Sequence, residues 1–236
     1  MRFDPPLTRG TLVRRYKRFL ADVVLEDGDP ITVHCPNTGS MLGVAEPGCG
    51  LWLLHHDSPT RRYPWAWELT ELADGTLAGI NTQRGNTLVR EAIAGGALPS
   101  LAGYSSFTAE ARYGAEGSRI DWLLQADGRP DCYVEVKNVT AAVQDGIAVF
   151  PDAVSARGTK HLRELMGVVR NGSRAVLVFC VQRGDVTEVR PADDIDPLYG
   201  RTLREALDGG VEVMAVRARI TPASITLEDI LPFRAP

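Results

Sequence analysis

Three residues in the middle of the chain carry groups suited to hydrolytic chemistry, and their spacing can bring them together: Asp121 in "SRIDWLLQ", and Glu135 and Lys137 in "YVEVKNVT". In a strand, side chains at i and i+2 point to the same face, so Glu135 and Lys137 share a side with Tyr133, while Val134 and Val136 take the other. The link "ADGRPD" is a turn with Gly and Pro, so the two segments are expected to form an antiparallel hairpin. A turn centred on Gly128 sets Asp121 directly across from Glu135. Facing Cβ atoms on such a hairpin lie about 4.5–5.5 Å apart. At an effective dielectric of ~20, two carboxylates there repel by roughly 3 kcal/mol. Lys137 offsets this in part, and a divalent cation more fully. Two carboxylates with the backbone carbonyl of Val136 suit Mg²⁺ or Mn²⁺, since Mg²⁺ takes hard oxygen ligands and keeps several waters.

The composition singles out Lys137 independently. The chain has 23 arginines and three lysines, Lys17, Lys137 and Lys160. Where arginine is the habitual cation, a retained lysine marks a place that needs a compact ammonium rather than a planar fork.

The arrangement Asp-x13-Glu-x-Lys across a hairpin resembles the PD-(D/E)XK nuclease superfamily, with Ile120 standing where the name puts a proline. The resemblance gives Asp121 and Glu135 the metal and Lys137 the attacking water, and it makes all three catalytic. Glu91, on the flank of a helix face formed by Leu88 and Ala92, is a third candidate metal ligand, weighed equally against an ordinary surface acid. Asp152 in "FPDA" reads as a turn cap rather than a ligand.

Candidate nucleic-acid contacts lie elsewhere. "RGTLVRRYKR" holds Arg14, Arg15, Lys17 and Arg18 without an acid, a local footprint for phosphate on a chain of net charge −4. Arg61 and Arg62 interleave with Tyr63, Trp65 and Trp67, a pattern shared by base-stacking platforms and by core tryptophans. Arg157, Lys160, His161 and Arg163 surround an expected helix N-terminus, where anions bind; for His161 a phosphate hydrogen bond or plain packing is preferred to proton transfer. His34, His55 and His56 read as structural.

The elements that must position these groups fall into two sets. Residues 1–80 contain strand-like runs, "TLVRRYKRFLADVVL", "ITVHC", "LWLLHH", "AWELTEL" and "TLAGI", separated by Gly-, Pro- and Asp-rich turns, which suits an OB-like β-barrel. Residues 81–236 change texture. "NTLVREAIAGG" places Leu88, Val89, Ala92 and Ile93 on one helical face, and three strand-like runs follow at 104–113, 118–125 and 131–139. "SARGTKHLRELMGVVRNG" puts Leu162, Leu165, Met166 and Val169 at i, i+3, i+4, i+7 of a second helix, and "RAVLVFCVQ" is a buried strand. A further helix and strand complete an α/β domain, so the expected class is α/β (α+β), barrel first.

Composition bounds the rest. An apolar fraction of 44% with 24% charged residues is that of a globular protein. The N-terminus shows no apolar signal segment, and no apolar run approaches ~18 residues, so a cytoplasmic protein without membrane spans is expected. Four scattered cysteines without C-x-x-C spacing suit reduced thiols. No G-x-S-x-G, P-loop or dinucleotide fingerprint is present.

"RYKRFLADV" (15–23), "CPNTGSM" (35–41), "WELT" (67–70), "GYSS" (103–106), "YGAEGSRIDWLLQADGRPDCYVEVKNVT" (113–140) and "FPDAVSARGTKHLRELM" (150–166) together resemble the sugar fermentation stimulation protein A family over nearly the whole chain. The resemblance implies an OB-like N-terminal domain, a nuclease-like C-terminal domain, DNA binding (DNA favoured over RNA) and a regulatory link to sugar use. The expected function is Mg²⁺-dependent phosphodiester cleavage; the alternative is a non-enzymatic DNA-binding regulator with a nuclease-like scaffold.

Overall fold

The computed structural model describes residues 1–235, those at 142–144 by backbone alone. The first unit contains β1 (Thr8–Tyr16), β2 (Leu20–Leu25), β3 (Pro30–His34), β4 (Gly50–His55), β5 (Trp65–Glu71) and β6 (Leu77–Gly79). They form one sheet in the order β3-β2-β1-β4-β5-β6, and a parallel pairing of β3 with β5 at His34 and Ala66 closes the first five into a barrel. The strand count differs from expectation in one respect. "TLVRRYKRFLADVVL" is two strands, because Lys17 and Arg18 adopt positive φ (49° and 65°) and turn the chain back on itself. "TLAGI" then adds β6 to the flank of β5 instead of completing the barrel.

Alternation fills the barrel: Leu12, Val23, Val33, Leu51, Leu53 and Trp67 are buried inside it. Trp67 is fully buried, and its Nε1 donates to the Leu69 carbonyl and Thr70 Oγ1, so it is a core residue and no stacking platform. Trp65 packs against His55 with ring centroids 4.6 Å apart.

The second unit runs α1 (Arg84–Ala94), β7 (Ser106–Tyr113), β8 (Ser118–Gln125), β9 (Cys132–Val139), β10 (Ala142–Gln144), β11 (Ile147–Phe150), α2 (Ala156–Arg170), β12 (Arg174–Val181), β13 (Glu188–Pro191), α3 (Pro197–Asp208), β14 (Glu212–Thr221) and β15 (Ser224–Leu231). The main sheet has the order β15-β14-β12-β9-β8-β7, parallel through β9, β12 and β14 and antiparallel outside them. β12 lies in the parallel centre, which explains its uninterrupted apolar run. Val176, Val178 and Cys180 pack toward α1, while Ala175, Leu177, Phe179 and Val181 pack toward α2 and α3. β10, β11 and β13 form a separate small sheet.

α1 buries Leu88, Val89, Ala92 and Ile93, the face its periodicity specifies. α2 does not. It turns His161, Glu164 and Val168 inward with Leu162 and Leu165, leaving Met166 and Val169 half-buried. Polar groups on the buried side of a helix need partners there: His161 finds one in the site described below, and Glu164 Oε1 accepts the Glu116 N–H at 2.9 Å.

Barrel and sheet meet at β6 and α1. The Gly79 N–H donates to the Gln182 carbonyl at 2.8 Å, and a Cβ on Gly79 would come within 2.4 Å of Gln182 Oε1. Met1–Phe3 join the second unit: Arg2 bridges Ser224, and Phe3 lies in the α1-side core. At the same junction Glu68, 1% exposed, receives Arg84 Nη2 at 2.8 Å and Nε at 3.1 Å, with Asn81 Nδ2 at 3.0 Å. Removing one partner of a buried ion pair strands the other charge. Arg84→Met is therefore expected to lower stability by about 3 kcal/mol, read as a drop in the urea midpoint without a change in m.

Candidate active site

The β8–β9 hairpin turns at Gly128, φ +71°, and pairs Leu124 with Cys132, Leu123 with Tyr133 and Trp122 with Val134. One residue beyond that last rung on each strand come Asp121 and Glu135. There the ladder opens. Asp121 Oδ2 accepts the Val136 N–H at 2.7 Å, and its Oδ1 accepts Asn86 Nδ2 at 2.8 Å. The Asn86 carbonyl in turn takes Trp122 Nε1 at 3.0 Å, fastening the first turns of α1 to β8.

Glu135 is 3% exposed, and its two oxygens differ. Oε1 accepts Lys137 Nζ at 2.7 Å and also contacts His161 Nδ1. Oε2 is buried and has no partner among the described residues. Arg157 Nε lies 3.3 Å from His161 Nε2. Arginine only donates, so Nε2 accepts, and the imidazole proton sits on Nδ1, directed at Glu135.

The two carboxyls are pushed in opposite directions. Burial raises Asp121, the charge of Glu135 raises it further, and the Val136 N–H, Asn86 and Lys137 only partly oppose this. Burial alone would raise Glu135 as well, but the His161 hydrogen bond and the Lys137 ammonium outweigh it and hold the carboxyl below its ordinary range. The like-charge strain inferred from sequence therefore falls on Asp121. Tyr113, whose hydroxyl is buried without a partner among the described residues, is driven up by burial and then by Glu135, Glu164 and Asp121.

Several expectations need correction. Glu91 does not complete this site: it is exposed and pairs with the Met1 ammonium at 2.6 Å. Asn86, in the first turns of α1, faces Asp121 instead, and five residues along a helix carry Glu91 to another side. Among the described residues no three His, Cys, Asp or Glu side chains gather as a ready metal cluster. His161 is 5% exposed and engaged with Glu135, so it is no surface phosphate ligand. Lys160 donates to the Glu116 carbonyl at 2.8 Å. Arg157 stays exposed beside His161.

The basic stripe is partly spent on the fold. Arg14 pairs with Asp22 at 2.8 Å. Arg15 Nη2 binds the carbonyls of Arg18, Asn37 and Gly39, and Arg18 binds that of Thr38. Both arginines thus secure the "CPNTGSM" loop to the β1–β2 turn, and Lys17 is left exposed at the turn's tip. Asp152 Oδ2 accepts the Ser40 N–H and hydroxyl, tying that loop to the second unit. Arg61 and Arg62 remain exposed beside the junction of barrel and α1.

A closed five-strand barrel leading into an α/β domain defines the architecture. The profile for the SfsA N-terminal OB domain matches residues 13–80, and that for the sugar fermentation stimulation protein RE domain matches residues 83–224. A sugar fermentation stimulation protein homolog of Thioalkalivibrio sulfidiphilus is 60% identical over 231 residues, 98% of this chain and 97% of the relative. One from Alkalilimnicola ehrlichii is 53% identical over 238 residues, with both chains covered in full. The structure of Pyrococcus furiosus SfsA in complex with Ca²⁺ is similar with a TM-score of 0.87 at 26% identity, covering 99% of this chain and 98% of that one. The chain belongs to the sugar fermentation stimulation protein family.

Proposed function

We propose that this protein is a nucleic-acid-binding phosphodiesterase of the PD-(D/E)XK type, dependent on Mg²⁺ or Mn²⁺ and acting on DNA in preference to RNA in the cytoplasm. The observation that carries the reading is the bare, buried Oε2 of Glu135, whose charge acts on Asp121. A buried carboxylate oxygen without a hydrogen bond is costly unless a cation or water completes it. Asp121 keeps a lone pair on each oxygen after its two hydrogen bonds. Two carboxylates without a third acid fit a hard cation that retains several waters, and the P. furiosus relative described with Ca²⁺ supports a divalent ion here. When bound, the ion would lower the pKa of a water and neutralise phosphate charge.

The chain's own residues do the rest. Lys137, 13% exposed and fixed on Glu135 Oε1, presents a compact ammonium where a water or phosphoryl oxygen approaches. His161 holds the Glu135 carboxylate through Nδ1–H, so its Oε2 keeps one orientation. Asn86 and the Val136 N–H do the same for Asp121. One observation favours the second reading, a non-enzymatic DNA-binding regulator: among the described residues no third carboxylate joins the site, with Glu91 engaged elsewhere.

Incubation of labelled DNA and RNA with Mg²⁺ is expected to give products that EDTA abolishes; intact substrates throughout would leave only the regulator. Binding itself is expected to be phosphate-driven. For about four phosphate contacts, log K falls against log salt with a slope near −3.6, and Lys17→Gln flattens it by about 0.9. An unchanged slope would remove Lys17 from the interface.

A further inference from the structure

Where the barrel meets α1 lies a cleft of about 530 Å³ that the carboxylate pair does not use. His34 at the end of β3, His56 just past β4, Arg61 and Arg62 before β5, and the pair Glu68–Arg84 line it. Its one acid is already satisfied, since Glu68 is held by Arg84 and Asn81. Arg61 and Arg62 form no ion pair among the described residues, and the rings of His34 and His56 make no hydrogen bond there; Arg62 only rests over the Tyr63 ring at 5.4 Å. The histidines read from sequence as structural therefore present free ring nitrogens to a cavity.

These groups also sense one another. Burial lowers the affinity of both imidazoles for a proton, and the charge of Arg61 lowers it further. Around His56, Arg84 and His55 act in the same sense as Arg61, and Glu68 acts against them. Cationic and imidazole groups turned on one cavity without an acid of their own are stabilised together by an anion. The cleft has the volume of a small-molecule site rather than of a groove that tracks a strand.

We infer that this cleft receives a phosphomonoester dianion, the terminal phosphate of a nucleic-acid strand, with Arg61 and Arg62 bearing on its charge and His34 and His56 donating to its oxygens. The choice of a strand end rests on the function proposed above, since hydrolysis of a phosphodiester leaves a terminal phosphomonoester on one of its products.

The test is fluorescence anisotropy in EDTA with one single-stranded DNA oligonucleotide carrying a 5′-phosphate, a 3′-phosphate or neither. AMP and inorganic phosphate serve as competitors. One phosphorylated end is expected to bind about tenfold tighter than the bare strand, the scale of a charge-assisted hydrogen bond. Arg61→Gln combined with Arg62→Gln is expected to erase that difference. A bound dianion favours the protonated imidazoles, so His34 and His56 are expected to titrate at higher pH in the AMP complex than in the free protein by NMR. Equal affinity for all three oligonucleotides would overturn the strand-end assignment and leave nucleic-acid binding standing. Binding of AMP without binding of any oligonucleotide would overturn the nucleic-acid reading and keep the phosphomonoester cleft for a free nucleotide. Binding of neither would overturn both.

Discussion

Replacing Glu135 by Gln is expected to reduce metal-dependent cleavage at least about 100-fold, the scale of losing one preorganised electrostatic group, while binding through the barrel's basic residues persists. The substitution keeps the shape of the side chain but removes the charge at the oxygen that has no partner. A Gln carbonyl can still accept Lys137 or His161, yet its amide nitrogen would then occupy the place of Oε2 and turn N–H groups toward the cation. Asp121 would also lose the neighbouring charge that helps to raise it, so its carboxyl should titrate lower in the variant. Single-turnover cleavage measures the first effect and NMR of the Asp121 carboxyl the second. Cleavage within a few-fold of the parent would show that the carboxylate pair does not drive the reaction.

Lys137→Arg is expected to cost about 100-fold in the same assay, as misplacing a catalytic group by an ångström does. Glu135 is 3% and Lys137 13% exposed, so the pair is not the solvated ion pair in which Arg and Lys interchange. His161 already touches the same Glu135 oxygen, so a planar guanidinium would have to displace the ring, leave the carboxylate or fork onto the bare Oε2 where the cation would bind. Overpacking here is also expected to lower stability by about 1–3 kcal/mol. The urea midpoint then separates a folded, inactive variant from a collapsed one. If Lys137→Arg cleaves as well as the parent, the rarity of lysine in this chain has no bearing on function.

The strongest signals in the sequence were those with one physical reading. The all-apolar run of β12 had to be buried on both faces, and the face of α1 followed from periodicity alone. The turn at Gly128 predicted the register that pairs Trp122 with Val134, because hairpin register follows from loop geometry. β15 was overlooked although Ile225 and Leu227 alternate into the core, since Glu228 and Asp229 mask the pattern beside them. The double role of "TLVRRYKRFLADVVL" was hidden because Lys17 and Arg18 are unusual residues for a turn at positive φ. For Glu91 the sequence leaves metal ligand and surface acid equally open, and the structure shows an exposed acid; the site uses the amide of Asn86, whose polar class marks no particular chemistry. His161 and Glu164 broke the apparent apolar face of α2, and only the structure shows that their burial is set by the strands beneath. The basic stripe was legible as charge. That Arg15 and Arg18 bind carbonyls of the 36–43 segment was not, because those partners lie some twenty residues away and carry no side-chain signal.

The central claim is that Asp121 and Glu135 together hold a divalent cation. Crystals soaked in Mn²⁺ and measured at a wavelength where manganese scatters anomalously test it without reference to any substrate. The account predicts an anomalous peak within coordination distance of Glu135 Oε2 and an Asp121 oxygen, absent from crystals of Glu135→Gln soaked in the same way. No peak at the β8–β9 hairpin in the parent protein, with ordered side chains there, would contradict it.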